Sequence, residues 1–369
     1  MKRTGTAELP LHYGSCPRWL FQRMVRLSGA IAEAIVLEYG TEEFLRRMAD
    51  PFFFQSLGCV VGFDFHSSGL TTTLTGALKE ALKPEELGLA VCGGKGKVSR
   101  SVPLEIQRLA DVFSLTTAKV EGLKYASRMA AKVDNACVQD GYQLYHHAFL
   151  VDEAGNWAVV QQGMNESFAR RYHWLSEGVD SFVEEPHSGI IGERGEETVL
   201  DMTAGESEEA RKISVDLVCD GPKKLFAEVL EAGQRSLDDY TEKGKQMPRL
   251  IMPRGHTITG LPKQTVLALQ RAYELQPENY EELIAISGIG PAAVRALALV
   301  SALIYGKPPS WKDPVRYSFA HGGKDGVPFP VDRATYQKTT EVLRAAIEGA
   351  KCGRDEKLKA IRRLHEFLG

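Results

Sequence analysis

The stretch YQLYHHAFLVDEAGNWAVVQQGMN, residues 142–165, constrains the fold more than any other part of the chain. It contains two runs in which aromatic and β-branched residues alternate with polar ones, joined by the turn-forming DEAGN. Strands joined this closely pair antiparallel, because a parallel pair needs a crossover of a dozen or more residues. The strands place His146 and His147 next to each other, hence on opposite faces of the sheet. A β-hairpin in a chain otherwise rich in helical apolar spacing predicts an α/β or α+β N-terminal domain.

The elements around the hairpin follow from local pattern. PRWLFQRMVRLSGAIAEAIVLEYG (17–40) reads as a helix opened by Pro17 and stopped by Gly40, with a second helix over 41–49. VVGFDF (60–65) and LGLAVCGG (87–94) read as strands flanking a helix at 70–82, which suggests an α/β unit. Helices are expected over 103–113 and 116–136. The 176–210 segment reads as loops with one short strand at 197–201. Helices follow at 207–219 and 221–232. Residues 233–260 are polar and contain Pro248, Pro253 and Gly255, as a linker would. Beyond them the pattern is helical, over 262–275, 279–286, 291–305, 333–349 and 354–367. At 369 residues the chain exceeds one ordinary core. The expected division is an α/β catalytic domain at 1–232, a linker at 233–260 and an all-α domain at 261–369.

Charge limits the partners. The net charge of −3 carries no global basic signature. Its distribution is uneven: 176–210 holds 11 acidic residues against 1 basic, whereas 311–369 holds 12 basic against 8 acidic. The six cysteines include no C-x-x-C pair, so zinc-finger and thioredoxin spacings are excluded. Their scatter fits reduced thiols and a cytoplasmic protein. MKRTGTAELPLHYG lacks the apolar core of a signal peptide, and no apolar run approaches the roughly 20 residues of a membrane span.

In the all-α segment, ISGIGPAAVRAL holds Gly288, Ile289 and Gly290 between two helical runs. This resembles a helix–hairpin–helix motif, which implies binding to DNA through its phosphate backbone. The glycines permit a tight turn and close backbone approach, and the amides opening the next helix favour an anion. Arg295, one turn on, would add a charge-assisted contact; Ile289 would anchor the turn in the core. The competing reading is a glycine turn between packed helices. The motif also resembles that of helix–hairpin–helix DNA glycosylases, with Asp332 of FPVDRATY in the place of their catalytic aspartate. Here Ala292 stands where lyase-type members carry a lysine, the gap to Asp332 is longer, and no iron–sulfur cysteines follow. Asp332 reads equally as a helix N-cap.

The N-terminal part carries the candidate chemistry. His146 and His147, Gln162, Asn165, His173 of ARRYHW and His187 of VEEPHSG lie within one region, with Glu184 and Glu185 nearby. Histidines with carboxylates suit acid–base work or a divalent metal, although no H-x-H or H-E-x-x-H occurs. Asp64 and His66 would share one face of a strand that leads into a Ser/Thr-rich helix start, a place where α/β proteins bind ligands. CGGKGKVSRS (92–101) offers Lys95, Lys97 and Arg100 among glycines as a phosphate cradle. Val98 after Lys97 breaks the Walker A pattern and excludes a P-loop motor.

RTGTAELPLHYG, PRWLF, VVQQGMN, RRYHW, EPHSGI, SGIGP and AHGGKDGVPFPVDR together resemble the family catalogued as domain of unknown function 763. The resemblance implies a role in DNA metabolism and supplies no catalytic set. The expected function is a DNA-binding repair protein, a metal-dependent nuclease using Mg2+ or Mn2+. Asp64, His66, Glu184 and Glu185 are the candidate metal ligands. Competing readings are a non-catalytic DNA-binding or partner-recruiting module, a glycosylase built on Asp332, and an RNA-processing enzyme.

Overall fold

A computed structural model describes residues 16–63, 68–192, 199–221, 261–315 and 333–368, with Leu9, Leu11 and Ala227. Helix α1 (Arg18–Ala49) is broken at Gly40, whose φ of 86° divides it into the two helical pieces the sequence predicts. Asp50 then caps α2 (Pro51–Val60): its carboxylate accepts from the backbone N–H of Phe52 at 2.8 Å, with Pro51 at the first position. Val60 is therefore the end of a buried helix, not the start of a strand. The Asp-Pro start and the apolar PFFFQSLGC run outweigh the β propensity of two valines.

The order continues with α3 (Ser68–Ala81), α4 (Pro84–Leu87), β1 (Leu89–Lys95), a 3-10 turn at Gly96–Ser101, α5 (Val102–Val112) and α6 (Thr117–Ala136). Then come β2 (Val138–Gln139), the hairpin β3 (Gln143–Asp152) and β4 (Trp157–Met164), β5 (Ala169–Leu175), β6 (His187–Ile191), β7 (Leu200–Asp201) and α7 (Glu208–Cys219). From residue 261 onward come α8 (Lys263–Leu275), α9 (Tyr280–Ala285), α10 (Pro291–Leu303), α11 (Arg333–Gly349) and α12 (Arg354–Leu368). Strand β6 falls within the 176–210 segment expected to be loops, and β5 in a stretch for which the pattern predicts no element.

The main sheet has the order β1-β3-β4-β5-β6, and every pairing in it is antiparallel. The fold is α+β, and the strand–helix–strand unit expected at 60–94 does not form. Helices cover both faces. On one side Ala148, Leu150, Ala158 and Val160 pack with apolar residues of α1–α3, α11 and α12. On the other, Phe149, Val159 and Trp174 share one apolar cluster with α5, α6, α7 and α8–α10. Residues before and after the 233–260 segment thus contribute to the same core. None of the described helices is long and apolar enough to cross a membrane.

Candidate active site

Helix α6 presses its apolar stripe onto the sheet and carries Asp134, which has no exposed surface, into that contact. Three donors converge on the carboxylate. Gln161 Nε2 donates to Oδ2 at 2.5 Å, Trp174 Nε1 to Oδ2 at 3.1 Å, and His187 Nε2 meets Oδ1 at 2.5 Å. Burial pushes the Asp134 carboxyl above the usual carboxylate range, against the pull of His187 and the other two donors.

The hydrogen-bond roles along this chain are forced. A carboxylate only accepts, so Gln161 turns its amide nitrogen to Asp134 and its oxygen to His147. His147 Nδ1 then donates to Gln161 Oε1 at 2.8 Å, and its Nε2 accepts from the Ser127 hydroxyl at 2.8 Å. The result is a satisfied buried line, Ser127–His147–Gln161–Asp134–His187. Burial lowers the His147 pKa to about 4 and keeps its ring neutral.

His187 is the end of that line near solvent. It stacks edge-on against Trp174 at 4.7 Å and lines a small cleft with Glu185, Ser188, Thr203 and Pro314. Pro314 is held there by a strap that runs over the sheet edge. Asp313 accepts two hydrogen bonds from the buried Arg170, at 3.1 and 2.8 Å. Arg170 also donates to Asp140 at 3.0 Å and lies over the Tyr142 ring at 4.6 Å, and the Tyr172 hydroxyl donates to Asp140 at 2.6 Å. Ser310 completes the strap by bridging to Asp201.

The other face of the sheet holds a second polar row: His146, Gln162 and Arg171 lie opposite one another on β3, β4 and β5. Thr75 gives its hydroxyl proton to Thr71 O at 2.8 Å, so His146 Nε2 donates to Thr75 Oγ1 at 3.0 Å, and His146 Nδ1 has no partner among the described residues. Burial lowers the His146 pKa to about 3. Gln162 donates to Ser68 O at 2.8 Å and to the Tyr145 hydroxyl, and accepts from Thr71. His173 donates from Nδ1 to Met48 O at 3.1 Å, packs edge-on against Phe54, and leaves Nε2 without a partner among the described residues. Burial holds its pKa well below the ordinary histidine value.

The four histidines singled out by sequence therefore do not form one centre. His146 and His173 face α1–α3, His147 and His187 face α6, and the first three are sealed in the core. Asn165 is half-buried and caps the β4–β5 turn, accepting from the N–H groups of Ser167 and Phe168. Glu184 is exposed and pairs with Arg211 at 3.2 Å, whereas Glu185 reaches the His187 cleft. Among the described residues no three His, Cys, Asp or Glu side chains converge as a metal site. Asp64, His66 and Asp332 lie outside the described residues.

The Gly-Ile-Gly turn joins α9 to α10. Gly288 has φ 94°, and a Cβ there would lie 2.8 Å from the Ala268 Cβ, so both its conformation and its packing require glycine. Ile289 is buried, Gly290 caps α10 and Pro291 opens it. Two side chains from the α6 region clamp the turn: Lys132 donates to Ile286 O, and Gln139 donates to Pro291 O at 2.9 Å. Burial lowers the Lys132 pKa to about 8. Arg295 does not face solvent as expected of a phosphate contact. It is 6% exposed, turned inward by its place on the packed face of α10. Lys95, Lys97 and Arg100 are exposed, as expected.

Asp134, Gln161 and the Arg170–Asp313 pair escaped the sequence reading. Asp134 sits in the ordinary amphipathic text AAKVDNA, and its partners lie 27 to 53 residues away. An aspartate on the apolar side of a helix is the one available signal. No curated protein and no solved structure is significantly similar to the chain. A family model described as a protein of unknown function, DUF763, matches residues 5–331, and the chain belongs to that family.

Proposed function

We propose that the protein acts on nucleic acid, with the Gly288–Gly290 turn contacting backbone phosphate and the His187–Asp134 pair supplying acid–base chemistry on a phosphodiester. The observation that carries the proposal is a buried carboxylate 2.5 Å from an imidazole that lines a small surface cleft. In this reading His187 accepts a proton from an attacking water and returns it to the leaving oxygen. Asp134 fixes the ring and stabilises its charged form. Gln161 and Trp174 hold Asp134 in place. The helical part from 261 onward would serve as the helix–hairpin–helix DNA-binding unit, and the six free cysteines fit a reducing cytoplasm.

Asp134→Asn tests the reading, because it keeps the shape and removes the charge. Cleavage of labelled single-stranded, duplex and branched DNA and of RNA is assayed with Mg2+, with Mn2+ and with chelator. The variant is expected to lose ~10²–10⁴-fold in rate while still binding. Cleavage at the wild-type rate refutes the assignment. A second reading, a non-catalytic nucleic-acid-binding module, is favoured by the sealing of His146, His147 and His173. Binding without turnover in every metal condition selects it.

A further inference from the structure

We infer that the 95–100 turn is a second phosphate-contacting surface, which engages nucleic acid together with the Gly288–Gly290 turn; this rests on the nucleic-acid reading above. Lys95, Lys97 and Arg100 fall within six residues, all exposed, and make no ion pair among the described residues. Some surface cations elsewhere meet carboxylates, as Arg46 does with Glu42, Glu43 and Glu177, Lys83 with Glu86 and Lys212 with Glu208. Three like charges held together without counter-charge cost self-repulsion, which a polyanion relieves.

The turn is also built to hold its shape. Glu105 crosses its base, accepting from Gly93 N–H at 2.8 Å, Ser101 Oγ at 2.6 Å and Lys79 Nζ at 2.7 Å. Burial would raise the Glu105 pKa, but Lys79, Ser101 and the Gly93 amide together hold it below the usual range, so this brace stays charged. Lys79 donates to Gly93 O at 2.8 Å as well. Gly93 has φ 86°, and a Cβ there would come within 2.3 Å of His147 O, so β1 must enter the turn on glycine. Lys95 extends over the Tyr145 ring, 5.8 Å from its centroid. A solvated charged turn needs none of this bracing, whereas a preorganised one loses less entropy on binding.

The two phosphate-contacting elements are tied to one rigid part. The turn feeds directly into α5, and Gln107 of α5 accepts from Lys124 of α6 at 2.6 Å. The 286–291 turn is clamped by Lys132 of the same helix. Eight residues of α6 separate those anchors, about 12 Å along its axis. Phosphate contacts made from elements tied to one helix would track a backbone rather than read bases.

The test uses the full chain and a labelled oligonucleotide, single-stranded and duplex, titrated from low to moderate NaCl. The triple variant Lys95→Gln, Lys97→Gln, Arg100→Gln is compared with wild type, its folding checked by thermal melting. Each phosphate contact contributes about 0.9 to the log–log salt slope on duplex and about 0.7 on single strands. The variant is therefore expected to bind more weakly, with a slope shallower by about 2 to 3, independently of sequence. An unchanged slope and affinity overturns the inference and leaves the nucleic-acid reading standing. A wild type that binds no oligonucleotide at all overturns both. Loss of binding to phosphatidylserine vesicles, with oligonucleotide binding intact, makes the turn a membrane contact and overturns it.

Discussion

Lowering the pH from 8 to 5 should strip this protein of much of its stability, because the core holds neutral histidines. His146 and His147 have folded pKa values of about 3 and about 4, against 6.5 in the unfolded chain. A base whose folded pKa is depressed favours folding above its unfolded pKa, and that contribution fades as pH falls toward the folded value. At pH 5 each of the two has cost about 2 kcal/mol, together about 4, out of a typical total of about 5–15. His173, also held neutral by burial, adds in the same direction. Burial raises the Asp134 and Asp140 carboxyls, and these subtract from the trend because the folded state takes up their protons first. Urea unfolding at half-unit steps of pH measures the sum. The variant His147→Asn isolates one term: it should start less stable at pH 8 yet lose about 1.2 kcal/mol less per pH unit near pH 5. A stability that is flat from pH 8 to 5, or a variant with the wild-type slope, refutes the argument that His147 is buried and neutral.

Two further substitutions probe the frame. Gly288→Ala places a Cβ against Ala268 in a left-handed conformation, and should cost about 1–3 kcal/mol by calorimetry or urea unfolding. No loss would mean the turn relaxes freely. Arg170→Met leaves Asp140 and Asp313 buried without their shared cation and should cost about 3–5 kcal/mol. Asp313→Asn, which keeps the Arg170–Asp140 pair, should cost about 1–3 kcal/mol, and the reverse order would refute the account of Arg170 as the shared cation.

Where the sequence was readable, local rules and tertiary packing agreed. The 142–165 hairpin, the Gly40 break and helices such as Thr117–Ala136 announce themselves through period, turn residues and caps. Strand β5 did not, because ARRYHWL buries two arginines and a histidine. Its residues look polar and become core only once Asp140, Asp313, Gln55 and Met48 arrive from distant segments. The 60–65 run failed for the opposite reason: its valines and phenylalanines suit a strand, but a well-capped helix had already begun at Pro51. The histidines were visible as residues, whereas their sorting onto two faces needed the strand register. The proposed acid–base pair was half visible, since His187 was singled out and Asp134 was not.

The strap from Ser310 to Val315 bears on how the protein comes into being. Arg170 and Asp313 are 143 residues apart, and the segment between them must be synthesised before the guanidinium receives its second carboxylate. Until then Arg170 stays underneutralised and the cleft beside His187 lacks Pro314. A nascent or truncated chain ending before Lys307 therefore carries the Asp134–His187 pair without its finished cleft. The cleft beside His187 is therefore finished only once the chain has been made past Pro314.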